Sequence, residues 1–206
     1  MTKDLDEALT EISAIRSQMA RTTVFRGYGP ATVAATGLLA VVAAVLQAAW
    51  IDRPALHVTA YVTLWATTAA LCATLVAVEM VARTRRVHGD LAQEMLFAAL
   101  EQFVPAAVTG GLLTLMLPTV DASAAWLLPA LWQLFVALGV FASCRFLPPP
   151  IYWVGTWYLV AGFATLVVGR GEFAFSPVAM GGSFGVGQLL TAAILYRHRE
   201  EADADG

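Results

Sequence analysis

Residues 174–196 read AFSPVAMGGSFGVGQLLTAAILY, a stretch without one charged side chain. About 20 apolar residues at 1.5 Å rise cross the hydrocarbon core of a bilayer as a helix. A helix is also the open-ended structure that satisfies its own backbone there. The stretch therefore reads as a membrane span. Its run GGSFGVGQ (181–188) adds where the span sits. Lipid tails are as apolar as leucine, so helices associate in a membrane by close contact at small residues, and a span this rich in glycine is expected inside a bundle. A glycine-rich phosphate cradle would need a strand before it and a water-exposed helix start after it, and mid-membrane offers neither.

Five further apolar stretches lie N-terminal to this one, at about 30–50, 57–82, 98–118, 122–144 and 149–169. The chain has 206 residues, 59% hydrophobic and 13% charged, against about 25% charged in a water-soluble domain. The fold class expected is all-α: a polytopic six-helix transmembrane bundle over 30–197. A segment 1–29 with a short amphipathic cytoplasmic helix precedes it, and an acidic tail, 198–206, follows it. Span three carries Ala106, Ala107, Gly110 and Gly111, and on the same small-residue logic it too is placed inside. Pro105, Pro118, Pro129 and Pro177 are expected to kink helices rather than break them. FVPAAVTGG (103–111) and FSPVAMGGS (175–183) look alike, but their offset does not carry span one onto span four, so no inverted repeat is inferred.

Lysine and arginine counts set the orientation. Ten of the twelve basic residues fall in the N-terminal segment, the second and fourth loops and the tail; Arg53 and Arg170 alone occupy the alternate loops. Both termini are therefore expected in the cytoplasm. Trp50 and Trp126 would sit at the outer interface, and Tyr28, Tyr152, Trp153 and Tyr196 at the inner one. Trp65 and Trp132 fall within spans, where an indole N–H needs a partner. FRGYGP (25–30), CRFLPPP (144–150) and FGVGQLL (184–190) are similar to phrases of bacterial inner-membrane proteins. That resemblance implies a plasma-membrane location and assigns no site.

The net charge of −3 gives no basic surface for a phosphate backbone, so nucleic acid is not an expected partner. Two cysteines and three histidines suit neither a zinc ribbon nor an iron–sulfur cluster, and no metal or cofactor is expected. No HExxH, nucleophile–base pair or paired-carboxylate signature occurs.

The candidate functional residues fall in three groups. Leu5, Ile12, Ile15 and Met19 form the apolar seam of the N-terminal helix, a short surface that wants a partner: its own bundle, a second copy or another protein. Glu101, Gln133 and Gln188 are polar groups in or near spans, where each must find a hydrogen bond or line a path. Arg83, Arg86, Glu94 and Arg145, with Glu101, lie at the cytoplasmic face, with residues 83–102 read as a helical extension of span three. Glu79, four residues before Arg83, is read as a snorkelling ion pair. The leading expectation is a non-enzymatic sensor, regulator or accessory subunit, with the bilayer and a protein as partners. A small transporter or channel using Glu101, Gln133 and Gln188 is second. A membrane enzyme acting on lipid or quinone, with its polar groups gathered at the cytoplasmic face, is third.

Overall fold

Proline sets where three of the helices begin. Its missing N–H is no loss in a first helical turn, and its fixed φ suits one. Accordingly Pro30 opens α1 (Pro30–Trp50), Pro129 stands in the first turn of α4 (Leu128–Ser143), and Pro177 opens α6 (Pro177–Ala204). The remaining helices are α2 (Val58–Thr84), α3 (Asp90–Val120) and α5 (Tyr152–Val168). The computed structural model describes residues 29–84, 90–169 and 171–204, with side chains over 29–82, 97–169 and 173–201. Among the described residues every regular element is helical, and six helical stretches are long and apolar enough to cross a membrane. The apolar helix expected over 3–24, with Leu5, Ile12, Ile15 and Met19, lies outside the described residues, as does Arg86; Arg83 and Glu94 are described in backbone only.

The first and last helices form the most extensive pair. α1 packs on α6, α6 on α5, α5 on α4 and α4 on α3, while α2 packs on α1. α2 and α3 thus end the series, and each is 6% buried over its apolar stretch, against 28–39% for the other four. The α1–α6 contact is made by glycines facing each other's chain. A Cβ added to Gly37 would lie 3.0 Å from the Gln188 Cβ and 3.3 Å from the Gly185 carbonyl oxygen, and one on Gly185 would lie 2.9 Å from Val41 Cγ2. Gly181 faces Ala44 in the same way, while Gly187 lies against the Tyr158 ring of α5. The expectation that α6 is an interior helix is met.

Span three departs from that expectation. Gly110 is buried 3.6 Å from the Phe135 ring of α4, whereas nothing lies within 4 Å of a Cβ on Gly111. Successive residues turn by about 100° around a helix, and α3 has one neighbouring helix,. One glycine of the pair therefore packs and the other looks outward. α3 runs unbroken through Pro105 and Pro118. It also begins at Asp90, before its apolar stretch at Phe97, so the expected helical extension of span three is present from Asp90, whereas Arg83, expected within that extension, belongs to the last turn of α2. Most of the acidic tail continues the last helix. α6 stays helical to Ala204, because residues 197–204 hold no proline or glycine and their charged side chains are good helix formers in water.

Between α3 and α4, Asp121 caps the 3-10 turn Ala122–Leu127: its carboxylate accepts from Ser123 N–H at 2.9 Å and Ser123 Oγ at 2.6 Å. The Ser123 hydroxyl and amide hold this carboxyl below the usual carboxylate range. A lowered folded pKa contributes order at and above ordinary carboxylate pKa values and loses it as pH falls through the folded value. The Asp121 carboxyl carbon is expected to titrate by NMR below the ordinary carboxylate range. The Ser123→Ala variant should move that midpoint back toward the ordinary value.

Candidate functional site

The amides that the sequence places within spans lie between helices. Gln133 on α4 is fully buried. Its Nε2 donates to the Ala179 carbonyl of α6 at 2.9 Å and to Thr165 Oγ1 of α5 at 3.3 Å, with the Thr165 hydroxyl 3.4 Å from its Oε1. One side chain thereby ties three helices. Gln188 on α6 does the same for a second trio: its Oε1 accepts from Thr36 of α1 at 3.3 Å, and its Nε2 donates to the Tyr158 hydroxyl of α5 at 3.4 Å. The two glutamines do not bond each other; each is satisfied by different neighbours.

A third amide was not singled out from the sequence. Gln47 on α1 is 1% exposed; its Nε2 donates to the Phe175 carbonyl at 2.6 Å, and its Oε1 accepts from Trp65 Nε1 at 2.8 Å. Three residues before Trp50, it reads as a span boundary, and the signal that could have found it is the lone amide in an otherwise apolar first span. Both tryptophans that needed partners have them, since Trp132 Nε1 donates to Thr114 Oγ1 of α3 at 2.7 Å. Further ties run from Trp157 Nε1 to the Ser183 carbonyl at 2.8 Å and from Ser143 Oγ to the Ala99 carbonyl at 2.8 Å. In a low-dielectric interior such satisfied networks fix which helix faces meet.

An aromatic cluster surrounds the Gln47–Trp65 bond. Tyr61 stacks on Trp132, with ring centres 6.3 Å apart and planes at 6°, and meets Phe175 edge-on at 4.9 Å. Among the described residues its buried hydroxyl has no hydrogen-bond partner. The cluster buries Tyr61, Trp65, Ala125, Phe175 and Met180 at the end of the bundle where α1 stops and α2 begins.

Glu101 is not brought to Gln133 or Gln188; it is exposed on α3. Arg145 is also exposed, its guanidinium carbon 4.6 Å from the centre of its neighbour Phe146. Of the candidate residues expected at a cytoplasmic face, these two have described side chains, and neither is buried. Among the described residues no group of three histidine, cysteine, aspartate or glutamate side chains is placed to hold a metal ion. Cys72 and Cys144 are free thiols, partly buried, and Cys72 Sγ lies 3.8 Å from the Thr36 carbonyl.

A cavity of about 700 Å³ opens at the α1–α2 turn, lined by Trp50, Ile51, Leu56, His57, Val58, Thr59, Ala60, Thr63 and Leu64. It is a broad cleft rather than an enclosed chamber, mostly apolar in its walls. The turn that shapes it holds Arg53 at φ 50°, in the left-handed region, and is closed by Leu56 N–H to the Arg53 carbonyl at 2.8 Å and His57 N–H to the Pro54 carbonyl at 3.1 Å. The chain matches no family model, no curated protein and no solved structure.

Proposed function

We propose that the chain is a non-enzymatic integral membrane protein, a sensor, regulator or accessory subunit that presents cytoplasmic helices to a partner protein. The observation that carries this reading is that Gln47, Gln133 and Gln188 bond to neighbouring helices. Amides used in this way hold helices together, whereas a transport path needs polar groups turned toward water. Glu101 stands apart from them on an exposed face of α3.

Two further observations support helix presentation. α3 starts two turns before its apolar stretch, and α6 continues past Glu201 to Ala204. Both extensions leave the bundle at the end that carries most of the basic residues, the end favoured for the cytoplasm. A plasma membrane of bacterial type, with both termini inside, accords with that bias and with the sequence phrases noted above. In this reading the apolar seam Leu5, Ile12, Ile15 and Met19 of the N-terminal segment supplies the surface for the partner,.

The test compares the full chain with one lacking residues 1–24, both recovered from native membranes in mild detergent and weighed. A protein retained by the full chain and lost from the shortened one is the expected result. If both run alone at the same mass, the docking role fails and function resides in the helices that remain.

A further inference from the structure

The cleft at the α1–α2 turn combines two chemistries at two depths. From Val58 to Leu64, α2 rises about 9 Å. Ala60 and Leu64, four residues apart and so on one face of α2, form one wall along that rise, with Ile51 and Leu56 beside it and Val58 at the start of the helix. These are carbon surfaces with nothing to offer a water-soluble ligand. At the mouth stand His57 and Thr59, with Thr63 one turn deeper, and Arg53 lies in the turn that forms the mouth, exposed. Arg53 is also one of only two basic residues between spans outside the basic-rich segments. Trp50, 78% exposed, ends α1 on the other side. An exposed indole at a span end belongs at the headgroup level, which fixes the depth of the mouth once the helices are in a bilayer.

We infer that this cleft holds one phospholipid of the surrounding bilayer, its phosphate at the Arg53–His57 mouth and the upper methylenes of an acyl chain along Ala60 and Leu64. The inference rests on the membrane reading above but not on the partner-docking reading. Imidazole and hydroxyl groups at the mouth, with the exposed Arg53 in the adjoining turn, over an apolar wall match the order of groups in a phospholipid, whose phosphate sits outermost and whose chains lie deeper. The neighbouring carboxylate, Asp52, is exposed as well. Together with Arg53 it gives the mouth one charge of each sign, which suits a zwitterionic headgroup such as phosphatidylethanolamine better than a doubly anionic one.

The experiment is native mass spectrometry of the full chain in detergent, titrated with phosphatidylethanolamine. The expected spectrum shows one lipid retained per chain. In Ala60→Trp, the indole occupies the apolar wall, and retention should fall about tenfold through lost chain contact. Ala60 is exposed, so the substitution leaves the helix contacts in place; an unchanged helical circular dichroism spectrum checks this. Thr63→Trp provides a second, independent block, and Arg53→Gln should weaken retention by loss of the phosphate contact. Equal lipid retention by the native chain, A60W and T63W would overturn the assignment. So would displacement of the lipid by glycerol phosphate, because the acyl chain would then contribute nothing. Loss of the partner protein on deleting residues 1–24 would leave the lipid result untouched, so the two readings fail separately.

Discussion

Gly37→Leu is expected to destabilise the bundle by about 2–3 kcal/mol, while Gly111→Leu changes stability by no more than about 0.5 kcal/mol. Both substitutions add the same side chain to the interior of an apolar helix, so any intrinsic gain from leaving glycine is common to them. Their difference therefore isolates packing. At position 37 a Cβ already meets the Gln188 Cβ at 3.0 Å and a backbone oxygen at 3.3 Å. The oxygen belongs to the α6 chain itself, which cannot rotate away as a side chain can, so α1 and α6 must separate along their most extensive contact. That separation would also stretch the Thr36 to Gln188 bond, one residue away. At position 111 no heavy atom lies within 4 Å. Reversible unfolding of both variants in mixed detergent micelles, followed by circular dichroism, measures the difference. Equal losses at the two sites would show that α1 and α6 are not in this contact.

Gln47→Leu should cost about 2 kcal/mol, because it leaves two buried groups without partners, the Trp65 indole N–H and the Phe175 carbonyl,. Hydrogen bonds between membrane helices are worth about 0.6 kcal/mol on average and at most about 1.7. Gln47 belongs at the upper end, since it makes two short bonds at a site 1% exposed. A double-mutant cycle with Trp65→Phe separates the tryptophan bond from the carbonyl bond. The phenylalanine ring keeps most of the aromatic packing against Tyr61, whose ring centre lies 6.4 Å from that of Trp65, and removes the N–H. A coupling of about 1 kcal/mol is expected; additivity within about 0.3 kcal/mol would mean that the two side chains do not bond.

The two glycine positions also show which features were legible in the amino-acid order. Six apolar stretches could be read because hydropathy summed over about 20 residues does not depend on which helix lies beside which. Neighbours could not be read that way. GGSFGVGQ and the Gly110–Gly111 pair looked equally suited to an interior helix, yet α6 has neighbours on both sides and α3 has one. The small-residue rule states what a contact needs and leaves open whether a given face meets a helix. The same distinction applies to the polar groups. Gln133 and Gln188 were recognisable as amides needing partners, but the partners are Thr165, the Ala179 carbonyl, Thr36 and Tyr158, as far as 152 positions away in the chain. Gln47 escaped notice because it lies close to the end of its span. Glu101 attracted notice through uncertainty in where span three begins; the apolar stretch starts at Phe97, and Glu101 is on the exposed side of it.

The separation of a fastened bundle from a polar conduit can be measured at Ser183. This residue sits on α6 between the Gln133 contact at Ala179 and the Gln188 contact, is 8% exposed, and donates to the Ala179 carbonyl at 2.6 Å. Ser183→Cys is close to isosteric. In a background with Cys72 and Cys144 replaced by alanine, its thiol is exposed to membrane-impermeant maleimide from each side of native membranes, with Ala122→Cys, exposed in the α3–α4 connection, as the reactive control. The expected result is labelling of Cys at 122 from one side, and of Cys at 183 only after denaturation. Labelling at 183 in the intact membrane at a rate like that at 122 would place water among the interhelical amides and contradict the account.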